Sequence, residues 1–213
     1  RLAGRGYALL APDMPWSDED PADRITALAL AAADAVVDQG YADPLRMGVM
    51  GGSLGGYSVC CVVTRTDRFR AAVAEASFCD LVSQVLYAKG NTLAGVPWVE
   101  GGILRLGATL WEAPQRYIDN SPVFRVNHVN TSLLLLHGTA DDACPIHQAE
   151  EMYAGLLHLG KVATLVRYHG AGHVIGQSPE NHRDMQVRVL EWFGRYLRGE
   201  TEEGGKPIAE QPD

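Results

Sequence analysis

The chain has 213 residues, 46% of them hydrophobic and 21% charged, so it can bury a sizeable core and disorder is not its default state. Twenty-six acidic residues against eighteen basic ones give a net charge of −8, and no basic cluster stands out, which argues against phosphate-directed nucleic-acid binding. No apolar run approaches the roughly 20 residues of a membrane span; the longest, Ile25 to Val37, is Ala-rich and broken by Asp34.

Taken in order, Tyr7–Pro12 reads as a strand ended by Asp13-Met14-Pro15. The sequence starts at Arg1 without a Met and reaches this strand-like run within seven residues, so an upstream part is expected. Asp20 then offers a helix N-cap with Pro21 at the first helical position. Ile25, Leu28, Ala32 and Val36 follow at helical spacing, and Gly40 stops the run. Arg46–Gly51 reads as a short strand, Leu54–Thr66 as a buried helix and Ala71–Ala76 as a strand. Residues 78–130 break the alternation, and Gly-, Pro- and Trp-containing stretches such as Gly95-Val96-Pro97-Trp98 predict a long excursion above the sheet. Trp98, Trp111 and Tyr87 read as packing residues of that excursion ahead of the alternative, the lining of an apolar pocket.

Four successive leucines make Ser132–His137 the plainest strand, covered on both faces. Ile146–Leu159 is helical, Val162–Tyr168 a strand, and Arg183–Leu197 a last amphipathic helix; from Gly199 the composition turns to a polar, flexible tail. Five strands alternating with helices imply an α/β fold: a mainly parallel sheet flanked by helices, with right-handed crossovers. Residues 1–198 then form one domain and 199–213 its tail. Cys60, Cys61, Cys79 and Cys144 lack metal-ligand spacing and read as core residues.

The strongest local signal is Gly51-Gly52-Ser53-Leu54-Gly55-Gly56, a G-x-S-x-G pattern between a predicted strand and a predicted helix. Such a turn is tight, and a Cβ at Gly51 or Gly55 is expected to crowd neighbouring backbone. Ser53 then projects from its tip, and the Leu54 N–H points the same way, toward a developing oxyanion. A serine hydroxyl needs a base. Among seven histidines His173 stands out, because its loop Gly170-Ala171-Gly172-His173 leaves a strand at the sheet edge that also holds Ser53. His169 competes on position, His137 reads as shaping the turn behind the site, and His128, His147, His158 and His182 read as surface or helix positions. The loop after Leu136 supplies two carboxylates, Asp141 and Asp142, either able to orient the base. The order Ser, Asp, His is that of the α/β-hydrolases.

At this point the sequence resembles the prolyl oligopeptidase family of serine peptidases. The matching pieces are Tyr41-Ala42-Asp43-Pro44 running into Arg46-Met47-Gly48-Val49-Met50-Gly51-Gly52-Ser53-Leu54-Gly55-Gly56-Tyr57, then Asp67-Arg68-Phe69-Arg70-Ala71-Ala72-Val73 and Asn120-Ser121-Pro122. Leu136-His137-Gly138-Thr139-Ala140-Asp141-Asp142, Tyr168-His169-Gly170-Ala171-Gly172-His173, Glu180-Asn181 and the helix ending Trp192-Phe193-Gly194-Arg195-Tyr196-Leu197 complete the pattern. The resemblance implies an α/β-hydrolase fold, Ser53 as nucleophile, His173 as base, Asp141 rather than Asp142 as the carboxylate, and Leu54 as a backbone oxyanion donor. It also implies first strands, a second oxyanion donor and an N-terminal propeller lying outside these 213 residues. Asp13-Met14-Pro15-Trp16 stands where relatives carry an Arg-Gly-Ser-type stretch.

The function expected is hydrolysis of short peptides through an acyl-enzyme. An esterase or thioesterase on the same scaffold is the alternative, and a non-catalytic binding domain the alternative of another class. Gly-Gly-Tyr and Asn-Ser-Pro favour the peptidase. No metal or organic cofactor is implied. The expected partner is a peptide or small acyl substrate, with no nucleic acid and no membrane, and a homo-oligomer is left open. A cytoplasmic location is slightly favoured, with an upstream signal peptide left open.

Overall fold

The computed structural model describes residues 2–14, 20–89, 91–93 and 95–200. Pro15 and Trp16 of the Asp13–Trp16 stretch, and the tail from residue 201, lie outside the described residues.

The chain forms α1 (Pro21–Asp38), β1 (Gly48–Gly52), α2 (Leu54–Val63), β2 (Ala71–Glu75) and α3 (Leu81–Leu86), followed by a small antiparallel ribbon of β3 (Ala88–Lys89) and β4 (Thr92–Leu93). After α4 (Pro114–Asp119) come β5 (Ser132–Gly138), α5 (His147–His158), β6 (Ala163–Tyr168) and α6 (Pro179–Phe193), which runs on into a wider turn at Gly194–Arg198. The main sheet has the order β1-β2-β5-β6, with every pairing parallel.

Strand alternation divides the core. Ala72, Ala74, Leu133 and Leu135 face α2 and α5, where they meet Val59, Cys60, Met152 and Leu156. Ala71, Val73, Leu134 and Leu136 face α6, against Val189, Trp192 and Phe193. All seven residues of β5 are buried, as expected of a parallel strand covered on both sides. Each large apolar side chain buried in this way contributes roughly 1.5–3 kcal/mol. The α2 helix is apolar nearly all round because it also packs against α1, through a cluster holding Ala22, Ile25, Tyr57, Cys61 and Val62. The four cysteines are buried free thiols.

One expectation fails and another holds in position only. Tyr7–Pro12 is not a strand, and the sheet among the described residues has four strands rather than five. An extended segment becomes a strand only by pairing, and this one joins no ladder; Leu9 and Leu10 face solvent. It is held instead through Tyr7, whose ring lies 6.3 Å from that of Phe193 and 4.1 Å beneath the Arg198 guanidinium. Second, Asp20 occupies the N-cap of α1 but its side chain makes no capping bond there. That bond comes from across the fold: Asn120 Oδ1 accepts from the Ala22 N–H at 3.0 Å.

Candidate active site

The parallel sheet brings three connections to one edge, at the carboxyl ends of β1, β5 and β6. Between β1 and α2, Ser53 holds φ 56° and ψ −119°, a conformation that side-chain-bearing residues rarely adopt. The turn is pinned by the Ser53 N–H, which donates to the Glu75 carbonyl at 2.8 Å, and by the Ser53 carbonyl, which accepts from the Tyr57 N–H at 3.0 Å. Leu54 opens α2 and so has no carbonyl within the helix for its N–H, which makes no hydrogen bond among the described residues.

A Cβ at Gly51 would lie 2.5 Å from the Gly55 carbonyl oxygen, so that glycine is required. Gly55 itself is a correction: a Cβ there meets nothing within 4 Å. The constraint falls one residue later, because a Cβ on Gly56 would lie 2.7 Å from the Glu75 carbonyl and 2.8 Å from Ser77 Cβ. The pressure comes from the end of β2, which local sequence does not reveal.

The loops after β5 and β6 are stitched together. Thr139 N–H donates to the Tyr168 carbonyl at 3.0 Å, Ala140 N–H to the Ala171 carbonyl at 2.9 Å, and Gly170 N–H to Thr139 Oγ1 at 2.9 Å. This places Asp141 and His173 in contact: His173 Nδ1 lies 2.9 Å from Asp141 Oδ2, and Nε2 lies 2.8 Å from Ser53 Oγ. A carboxylate can only accept, so the Asp141 contact assigns the ring proton to Nδ1 and leaves Nε2 free to accept the Ser53 hydroxyl.

The Asp141 side chain is fully buried. Its Oδ1 accepts from the Ala143 and Cys144 N–H groups at 3.0 and 2.9 Å, while Oδ2 faces His173 and, at 3.4 Å, His137 Nε2. Burial pushes its pKa up, but the bonds from His137, His173 and the Cys144 N–H outweigh that and hold the carboxyl far below the usual carboxylate range. The hydrogen bond to Asp141 in turn raises the pKa of His173 against the opposing effect of burial, with Glu75 and Asp142 adding smaller upward contributions.

The remaining sequence candidates separate. Asp142 points outward into an exposed ion pair with Lys89. His169 is exposed and takes no part in this chain of bonds. His137 does more than shape a turn: fully buried, it donates from Nε2 to the Cys144 carbonyl at 2.7 Å and lies 3.4 Å from the same Asp141 oxygen that His173 contacts.

Glu75, at the end of β2, was not apparent from sequence. Burial raises its pKa, and His173 and His182 lower it, so it is a carboxyl that shares the electrostatics of the site. Trp98 also departs from expectation. It helps line a cavity of about 120 Å³ beside Ser53 and Leu54, together with Phe78, Gln84 and Ile103. Trp111, by contrast, is largely exposed, and Tyr87 lies near the His147 ring. Among the described residues no group of three or more His, Cys, Asp or Glu side chains is placed to hold a metal ion, and no helix is long and apolar enough to cross a membrane.

The sequence model of the prolyl oligopeptidase family matches residues 16–200. The uncharacterized peptidase YuxL of Bacillus subtilis is 33% identical over 171 residues, covering 78% of this chain and 25% of that protein. The acylamino-acid-releasing enzyme of Arabidopsis thaliana is 26% identical over 176 residues, covering 79% of this chain and 22% of that enzyme. The chain thus spans about a quarter of the length of the curated relatives it matches. Among solved structures, a puromycin-hydrolyzing peptidase of Mycobacterium tuberculosis superposes with a TM-score of 0.74 at 27% identity, over 86% of this chain and 27% of that one. An acylaminoacyl peptidase of Pyrococcus horikoshii superposes with a TM-score of 0.71 at 24% identity, over 86% of this chain and 29% of that one, a likeness of fold. The architecture is that of the α/β-hydrolases, and the chain belongs to the prolyl oligopeptidase family of serine peptidases.

Proposed function

We propose that the protein hydrolyses short peptides through an acyl-enzyme formed on Ser53. The observation that carries this reading is the single imidazole of His173, bonded through Nε2 to Ser53 Oγ at 2.8 Å and through Nδ1 to Asp141 Oδ2 at 2.9 Å. In the first step Ser53 Oγ attacks the scissile carbonyl carbon while Nε2 takes the hydroxyl proton. The imidazolium is stabilised by Asp141, which stays ionised. The tetrahedral oxygen accepts from the Leu54 N–H at the start of α2, where the helix dipole also favours negative charge. Collapse expels the amine, which takes its proton from Nε2 and leaves an ester on Ser53. Water then repeats the sequence, activated by His173, and releases the carboxylic acid and the free serine.

A pair of substrates tests the reading: a short peptide p-nitroanilide and the matching p-nitrophenyl ester. Turnover of both is expected, lost by several orders of magnitude in Ser53→Ala. Turnover of the ester alone would make the protein an esterase. Retention of amide turnover in Ser53→Ala would overturn the assignment.

A further inference from the structure

Glu75 is a carboxylate at the catalytic edge that no Lys or Arg among the described residues neutralises. It ends β2 and stands opposite Gly52 in the ladder, the residue just before the nucleophile, and its backbone carbonyl holds the Ser53 N–H at 2.8 Å. Ala71 and Val73 face α6, so strand alternation turns the Glu75 side chain to that same side. Its Oε2 lies 3.7 Å from the point a Cβ on Gly52 would occupy. The residue is partly buried, yet its carboxyl oxygens keep contact with solvent. No described N–H or hydroxyl donates to it, and the positive groups that influence it are the His173 and His182 rings. Asp142, by comparison, is already matched by Lys89. A half-buried carboxylate without a counter-charge is costly, and a cation brought beside it offsets that cost.

We propose that Glu75 binds a basic side chain, Lys or Arg, on the leaving-group side of the scissile bond, so that the residue just after that bond is a determinant of specificity. The inference rests on the proposed function, with Ser53 as nucleophile and His173 as its base. In that reaction the departing amine takes its proton from His173 Nε2, so the leaving residue comes within hydrogen-bond reach of that ring. The loop that carries His173 packs toward α6 through Ala171, on the side to which Glu75 points. An ammonium on its flexible stem, or a guanidinium, can therefore approach Glu75 while the backbone amine stays at Nε2. An acidic side chain in the same place meets a like charge, and an apolar one leaves the carboxylate unmatched.

Glu75 also raises the pKa of His173, so the readout is a ratio within one enzyme at one pH, in which that effect cancels. Three otherwise identical short peptides, with Lys, norleucine or Glu just after the scissile bond, are compared by kcat/KM in the intact protein, with the cleaved bond identified by mass. Norleucine keeps the lysine stem without its ammonium. The expected result is a preference of about tenfold for Lys over norleucine, the scale of a hydrogen bond to a charged group, with Glu poorer than either. In Glu75→Gln the ratio of Lys to norleucine should fall to near unity whatever the absolute rate, and Glu75→Lys should reverse the order of Lys and Glu. Equal kcat/KM for Lys and norleucine would overturn the inference, as would a Lys preference that survives either substitution. Absence of cleavage of all three peptides would instead overturn the peptidase reading on which it rests.

Discussion

His137 Nε2 and His173 Nδ1 approach the same oxygen, Oδ2 of Asp141, at 3.4 and 2.9 Å. One imidazole is fully buried and also tied to the Cys144 carbonyl; the other reaches Ser53. The buried His137 thus clamps the same carboxylate oxygen that His173 contacts. Replacing His137 by Ala removes a buried ring and strips the Cys144 carbonyl of its side-chain donor. The expected cost is about 2–5 kcal/mol in denaturant unfolding, together with a fall in kcat as Asp141 loosens. Unchanged stability and rate would show that the clamp has no consequence.

The two neighbouring aspartates make unequal contacts. Asp141→Asn puts an amide against His173 Nδ1 and favours the wrong tautomer, a change that costs roughly 10⁴ in kcat in a Ser-His-Asp triad on an unrelated fold. Asp142→Asn breaks only an exposed pair with Lys89 and is expected to leave kcat nearly unchanged. Steady-state kinetics on both variants decides; a severe Asp142→Asn would contradict the assignment.

The pH profile carries a sign. In the proposed mechanism His173 must be neutral to act as base, and its hydrogen bond to Asp141 raises its pKa. The acid limb of kcat/KM is therefore expected above the ordinary imidazole value of about 6.5. Glu75 contributes to that rise. Glu75→Gln removes a negative charge that favours imidazolium, so the limb should move to lower pH and the fraction of maximal activity at pH 6 should increase. A limb that stays in place or moves upward would rule out this coupling.

Gly55→Ala and Gly56→Ala differ in the space each new methyl meets. Nothing lies within 4 Å of a Cβ at Gly55, and alanine in a helix gains up to about 1 kcal/mol over glycine, so stability should hold or rise. At Gly56 the methyl meets the Glu75 carbonyl and Ser77, an overpacking that costs about 1–3 kcal/mol. Thermal unfolding of the two variants reads the difference, and equal midpoints would contradict it.

Much of this was legible because parallel sheets turn chain order into spatial order. Once Ser53, Asp141 and His173 each followed a strand, the crossovers brought their loops to one edge, and the four leucines of β5 announced a strand buried on both faces. What was not legible depends on partners distant in sequence. Tyr7–Pro12 has the composition of a strand but no ladder to join. The requirement for Gly56 is imposed by β2, and the reach of Glu75 toward the site by the register of β2 beside β1. The Gly-Gly-Tyr and Asn-Ser-Pro elements, read as marks of a peptidase, meet each other: Tyr57 Oη donates to the Asn120 carbonyl at 2.9 Å, and Ser121 Oγ accepts from the Leu81 N–H at 2.8 Å. The first of these bonds ties α2 to the end of α4, and the second ties the same turn to the start of α3.

The central claim is that Ser53 is a base-activated nucleophile. A fluorophosphonate probe reacts with such a serine, and peptide mapping of the labelled protein locates the adduct. The account predicts one adduct, on Ser53, abolished by Ser53→Ala and strongly reduced by His173→Ala, with the double variant little worse than either single one in turnover because the residues act as a unit. An adduct on another residue, or labelling that persists in Ser53→Ala, would contradict it.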